Sequence, residues 1–144
     1  YGKIEARIKL PAGVGTWPAF WMLGNNIDAV GWPACGEIDI MEHKGSDEGR
    51  IYGTLHYPGR SGGNANGLTT NVPNVTTEFH VYTVEWNAST IKISVDGREF
   101  FSFANSNTVP FNHEFFILLN VAMGGGGPPG SPGTEKPLAS MNWM

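Results

Sequence analysis

Glycine, proline or an Asx-Gly pair interrupts this chain again and again at short intervals, and between the interruptions side chains alternate with a period of two or run apolar. That punctuation leaves room for many short strands and for no long helix. Tyr1–Leu10 sets Ile4, Ala6, Ile8 and Leu10 on one side and Lys3, Glu5, Arg7 and Lys9 on the other, the pattern of a strand with one face in a core. Thr16–Leu23, TWPAFWML, is apolar on both faces, so it is covered twice or turns one face to a ligand. Gly36–His43, Ile51–Tyr57, His80–Trp86 and Thr90–Val95 read as further strands, and Asp96-Gly97 is a two-residue hairpin turn into Arg98–Phe103. Phe115–Met123, FFILLNVAM, is an apolar strand interrupted by Asn120. Arg60–Asn74, rich in Gly, Asn and Thr, reads as a loop, and so does the Gly/Pro-rich segment 124–140 near the C-terminus. The expected fold class is all-β: an antiparallel β-sandwich of jelly-roll character.

Length and composition narrow the function. The 144 residues make one domain at most, 1–144, and fall short of the roughly 200–250 residues that sandwiches and barrels often use. A charged fraction of 15% beside an aromatic fraction of 12% suits a folded domain that shows rings at its surface. Nine Lys and Arg, scattered among thirteen Asp and Glu, form no basic stripe, so neither nucleic acid nor an anionic membrane is an expected partner. No apolar run approaches the ~20 residues of a transmembrane helix. The single cysteine, Cys35, can form no disulfide within this chain and reads as a small buried side chain. Trp86, Phe100, Phe101 and Phe103 are expected in the core, and Asn74 and Asn87 lie in N-x-T and N-x-S sequons.

The stretch GEIDIMEHKG, residues 36–45, carries the chemistry. Glu37 and Asp39 share a face of a regular strand, whereas Glu42 points the other way unless one extra residue is absorbed between them. A β-bulge around Ile40 and Met41 does this, leaving Ile38 and Ile40 in the core and three acids over one surface. Three carboxylates together repel one another, so at neutral pH at least one holds a proton or is strongly paired. A pair of carboxyls is what a retaining glycosidase needs, one as nucleophile and one as acid and then base. The assignment is Glu37 as nucleophile, Glu42 as general acid/base with a raised pKa, and Asp39 as the group that orients Glu37. Two other readings stay open from the residues alone: an edge strand with solvated acids, or a calcium site, although calcium prefers oxygen ligands from a loop.

GEIDIME, with WPAC and GTWPAFWMLG before it and YGKIEARIKLP at the start, resembles glycoside hydrolase family 16, and within it the bacterial laminarinases, which are endo-β-1,3-glucanases. The match runs in order from Tyr1 to about Gly126. The resemblance implies a concanavalin-like jelly roll with the sugar along its concave sheet. It implies retaining endo-hydrolysis of β-1,3-glucosidic bonds in laminarin-like β-glucans by double displacement, carried by Glu37, Asp39 and Glu42. By position, Arg7 matches a polar contact to sugars, Trp17, Trp21 and Trp32 match aromatic platforms, and His56 and Asn120 match polar residues bordering the cleft. Sugar rings have apolar faces and polar rims, so Trp faces edged by Arg, His and Asn complement both. A secreted monomer is expected, with no cofactor and no metal, since a family-type calcium site would need segments absent here. The family's catalytic domain is longer, so the domain is expected to be partial, incomplete at both ends. The rivals are a non-catalytic, lectin-like carbohydrate-binding sandwich and a same-family hydrolase or transglycosylase acting on another β-glucan or a galactan.

Overall fold

The alternation of the first ten residues is the rule by which most of this molecule is built. In the computed structural model, which describes residues 1–124, the chain forms nine strands: β1 (Gly2–Ile8), β2 (Thr16–Gly24), β3 (Glu37–His43), β4 (Arg50–His56), β5 (Asn66–Asn71), β6 (His80–Trp86), β7 (Thr90–Val95), β8 (Arg98–Ala104) and β9 (Phe115–Met123). One α-helical turn, α1 (Ile27–Val30), and a 3₁₀ turn at Gly62–Asn64 are the helical pieces among the described residues. The strands make two antiparallel sheets, one of four strands ordered β1-β6-β7-β8 and one of five ordered β5-β4-β3-β2-β9. This is the expected all-β, jelly-roll sandwich. The Gly/Pro-rich segment 124–140 lies, from residue 125 on, outside the described residues.

Apolar alternates from both sheets meet in the middle. Ile38, Ile40, Met41, Ile51 and Leu55 of the five-stranded sheet and Tyr82, Val84, Ile91, Ile93 and Phe101 of the four-stranded sheet are all buried. Burying one such side chain stabilises the fold by about 1.5–3 kcal/mol relative to leaving it in water. Trp86 lies in the same core and donates its indole N–H to the Phe111 carbonyl at 2.7 Å, so its polar edge is satisfied where its rings are buried. Phe100 and Phe103 are partly buried against it, and Cys35 is fully buried. The Asp96-Gly97 turn closes as read: both residues have positive φ, 50° and 75°, as a type I′ hairpin requires. Asp96 also accepts the Val81 N–H at 2.8 Å and meets His80 Nδ1 at 2.7 Å, which pins the turn to β6.

One expectation fails. The segment 60–74 is not a plain loop, because Asn66–Asn71 pairs with β4 along its whole length. β5 is an edge strand with one large apolar residue, Leu68, which is exposed. Neither burial nor alternation marks it; the backbone hydrogen bonds offered by β4 make it a strand.

Candidate active site

β3 carries one residue more than either neighbour. Along β2, Trp21 pairs with Asp39 and the next residue, Phe20, pairs with Met41. Along β4, Thr54 pairs with Asp39 and Tyr52 with Glu42, three steps on β3 against two on its partner. The bulge therefore falls at Ile40 and Met41, as the spacing of the acids predicts. Both of its side chains go into the core, and Glu42 is swung back to the side of Glu37 and Asp39. These three acids line one cleft of about 210 Å³ with Trp17, Ala19, Trp21, Asn120 and Ala122. That volume is below the roughly 300–1,000 Å³ that encloses a drug-sized ligand, so a polymer would lie across the cleft with only a short stretch seated in it.

Each carboxyl has its own environment. Trp17 Nε1 donates to Glu42 Oε1 at 2.9 Å, and Trp32 Nε1 donates to Glu37 Oε2 at 2.7 Å. Trp21 Nε1 donates to Asn120 Oδ1 at 2.7 Å, which orients the lone amide of β9 into the cleft wall. Asp39, between the two glutamates, is only 3% exposed. Opposite Glu37 on β4 stands His56. The Gly62 N–H donates to His56 Nδ1 at 3.1 Å, so the ring proton resides on Nε2. Nε2 lies 3.1 Å from Asp39 Oδ2 and 3.8 Å from Glu37 Oε1. The shorter contact is not aligned as a hydrogen bond, and Asp39 Oδ2 stays buried without a partner.

The electrostatics follow from burial. No lysine or arginine pairs with the three acids within 4 Å among the described residues, and all three pKa values are pushed up. Desolvation is the largest cause in each case. Glu37 reaches about 7, with the charge of Asp39 adding to burial. Asp39 is held well above the ordinary carboxylate range by burial and then by Glu42. Glu42 is raised by burial and partly relieved by the Trp17 hydrogen bond. The trio therefore retains protons at neutral pH and titrates as a unit. A proton donor and a carboxylate nucleophile can coexist in it.

Of the residues singled out from the sequence, Trp17, Trp21, Glu37, Asp39, Glu42 and Asn120 converge on this cleft, with Trp32 and His56 at its rim. Trp32, about half exposed, sits in the segment before β3 and tilts against the His56 ring, centroids 5.7 Å apart. Arg7 is not brought there. It projects from β1, in the other sheet, and its guanidinium lies 4.4 Å over the exposed Phe79 ring. Three contributors escape sequence reading. Ala19 and Ala122 keep the cleft open, and Gly62 sets the His56 tautomer through its backbone alone. Ala19 was within reach, since it alternates with Trp17 and Trp21. No side chain announces Gly62.

Comparison with known proteins places these features in a family. Glycosyl hydrolases family 16 matches residues 1–144. The solved catalytic domain of an endo-1,3-beta-glucanase (laminarinase) from Thermotoga petrophila RKU-1 is 46% identical and superposes with a TM-score of 0.81 over 85% of this chain and 53% of that chain. A beta-glucanase of Rhodothermus marinus is 38% identical over 138 residues, 87% of this chain and 48% of the relative. A beta-1,3-glucan-binding protein of Penaeus monodon is 34% identical over 157 residues, 87% of this chain and 43% of the relative. The chain thus spans about half the length of these proteins. On the extent of the match, and on a sandwich that carries its acids across a bulge, the chain belongs to glycosyl hydrolases family 16.

Proposed function

We propose that this chain forms the catalytic cleft of a retaining endo-β-1,3-glucanase acting on laminarin-like β-glucans. The observation that carries the reading is the bulge at Ile40 and Met41, which puts three desolvated carboxyls beside three tryptophans on one open surface. In the first step Glu42 gives its proton to the glycosidic oxygen while the Glu37 carboxylate attacks the anomeric carbon. The leaving sugar departs and a glycosyl ester on Glu37 remains. In the second step Glu42, now a carboxylate, takes a proton from water, the resulting hydroxide displaces Glu37, and both groups return to their starting states. Asp39 keeps a proton and shares it with Glu37. The hydrogen bond within this pair favours the proton on Glu37 and burial favours it on Asp39; we place it on Asp39, the more deeply buried of the two. Glu37 is then free to attack as the anion.

The remaining site residues take supporting roles. The faces of Trp17, Trp21 and Trp32 carry sugar rings, and Asn120 and His56 border them. Arg7 reaches sugar only if the polymer extends past the β9 side of the cleft. The β-1,3 linkage is inferred from what the laminarinase relative cleaves, and a secreted monomer working on an extracellular polymer fits that substrate. The domain is read as a single partial catalytic domain, 1–144.

Two alternatives bear on specific observations. Glu37, Asp39 and His56 each offer a donor atom within 4.8 Å of the others, a spacing a cation could bridge. The Gly62 N–H, however, leaves the His56 proton on Nε2, so that atom has no free lone pair to offer a metal; we infer chemistry without a metal or other cofactor. The relative named as a glucan-binding protein raises the lectin-like alternative. A binding surface gains nothing from three crowded, desolvated acids, so catalysis is favoured. Incubating the protein with laminarin and measuring reducing ends tests the proposal: release of short oligosaccharides is expected, and retention of laminarin without any release overturns it.

A further inference from the structure

The three tryptophans of the cleft all spend their indole N–H on a protein acceptor. A ring that only supported sugar would leave that donor free for hydroxyl groups or water. In Trp17 the consequence is chemical, because its acceptor is the carboxyl assigned above as the acid/base. Resting on that assignment, we propose that Trp17 is a positioning residue that directs the proton of Glu42 to Oε2, by occupying Oε1 as a hydrogen-bond acceptor.

The argument is one of valence. A protonated carboxyl has one carbonyl oxygen and one hydroxyl, and an N–H donor prefers the carbonyl oxygen, the better acceptor. With Trp17 Nε1 at 2.9 Å from Oε1, the carbonyl character stays on Oε1 and the acidic hydrogen is on Oε2. The described residues offer Oε2 no hydrogen-bond partner, so its hydrogen is left for the glycosidic oxygen. When that hydrogen is transferred, the Trp17 bond becomes a charge-assisted one to a carboxylate and strengthens. It thus stabilises the state reached after proton transfer more than the state before it, which is the condition for accelerating the step. The fold supports this placement. Trp17 and Ala19 are alternates on β2, Ala19 pairs with Glu42, and the small Ala19 side chain leaves room for the indole to reach over it. The bond also favours ionisation of Glu42 against the opposing effect of burial.

Trp17→Phe keeps a ring face for sugar and deletes only the donor, so it separates the two roles. On laminarin, kcat is expected to fall roughly ten- to a hundredfold, part of the 10²–10⁴ that a positioned general acid supplies, with KM within about threefold. On an oligosaccharide with a dinitrophenyl leaving group, whose departure needs no protonation, kcat/KM, which reports the first step, is expected to fall far less than on laminarin. The alkaline limb of kcat should move to higher pH, because the neutral acid loses the donor that favours its anion. A rise in KM alone, equal for both substrates, would assign Trp17 to sugar support and overturn the proposal. A second measurement needs no turnover. The Trp17 indole proton, identified in a ¹⁵N spectrum by its absence from Trp17→Phe, should shift downfield as pH rises through the Glu42 titration. That shift should vanish in Glu42→Gln while the Trp32 resonance keeps its own. An indole proton that ignores pH overturns the proposal. If neither substrate is cleaved, the glucanase reading fails and the titration alone decides whether Trp17 holds Glu42.

Discussion

The outer faces of the two sheets follow the same alternation and put it to opposite uses. On the four-stranded sheet the outward positions hold Lys3, Glu5, Lys92 and Glu99, which pair in the open at 2.8 Å (Lys3–Glu5) and 3.0 Å (Lys92–Glu99). Thr83 adds a hydrogen bond to Glu5 at 3.0 Å. On the five-stranded sheet the outward positions hold Glu37, Asp39 and Glu42 among tryptophans, desolvated and without a lysine or arginine paired to them within 4 Å among the described residues. The first arrangement pairs each acid with a lysine in the open, where the pair does little. The second forces acids to hold protons at neutral pH, which destabilises the fold and creates reactivity. Acidic residue counts would not distinguish the two faces; burial and the lack of a lysine or arginine ion pair do.

The contrast can be broken most severely at Glu42. Glu42→Gln should lower release of reducing ends from laminarin by roughly 10²- to 10⁴-fold while sparing kcat/KM, which reports the first step, on substrates whose leaving group needs no proton. Equal loss on both would remove Glu42 from the acid role. Next in size is the shared core, to which both faces are attached. Ile93→Ala, at a fully buried site, should cost about 2–5 kcal/mol in denaturant unfolding, whichever outer face is considered.

Smaller, but diagnostic, is the pH dependence of stability. The folded Glu37 titrates near 7 against an unfolded value of 4.5, so the folded state binds more protons across that interval. The Glu37 contribution to stability is then fully present below about pH 4.5 and is lost as pH rises to about 7. For Glu37 the span amounts to something on the order of 2 kcal/mol once residual solvent contact is allowed for. Asp39→Asn, which removes a buried ionisable group from the trio, should raise Tm at pH 7 and flatten its decline over the same interval. A Tm that climbs with pH from 4.5 to 7 in the parent protein would contradict the assignment. At the far end, Lys92→Ala on the opposite face should leave Tm unchanged and insensitive to salt, as expected of an exposed pair.

What the sequence disclosed and withheld follows the same physics. Strands with one face in the core were legible because burial imposes period two, and β1, β2, β6, β7 and β9 lie within two residues of their expected ends. The bulge was legible because Glu37, Asp39 and Glu42 are spaced two and then three apart, an irregularity that a strand can absorb in few ways. β5 was not legible: an edge strand with Asn, Gly and Thr is held by its neighbour's backbone, which leaves no mark on its own side chains. The His56 tautomer was hidden for the same reason, since it depends on the Gly62 N–H. For Arg7, matched to a sugar contact by resemblance, the period-two pattern says which face the residue takes but not which sheet will own its strand.

The irregular pairing of β3 has one more consequence, for genetic change. Losing or gaining a residue in a strand ordinarily exchanges its two sides and ruins both. Here Ile40 and Met41 together occupy one step of the neighbouring strand and both are buried, so a deletion of either codon would restore an even count. Glu37, Asp39 and the residue now numbered Glu42 would fall on successive alternates, with Ile38, the surviving apolar residue and His43 still pointing inward. The loss of a single triplet at this place, and nowhere else along β3, is phase-neutral for both surfaces of the strand.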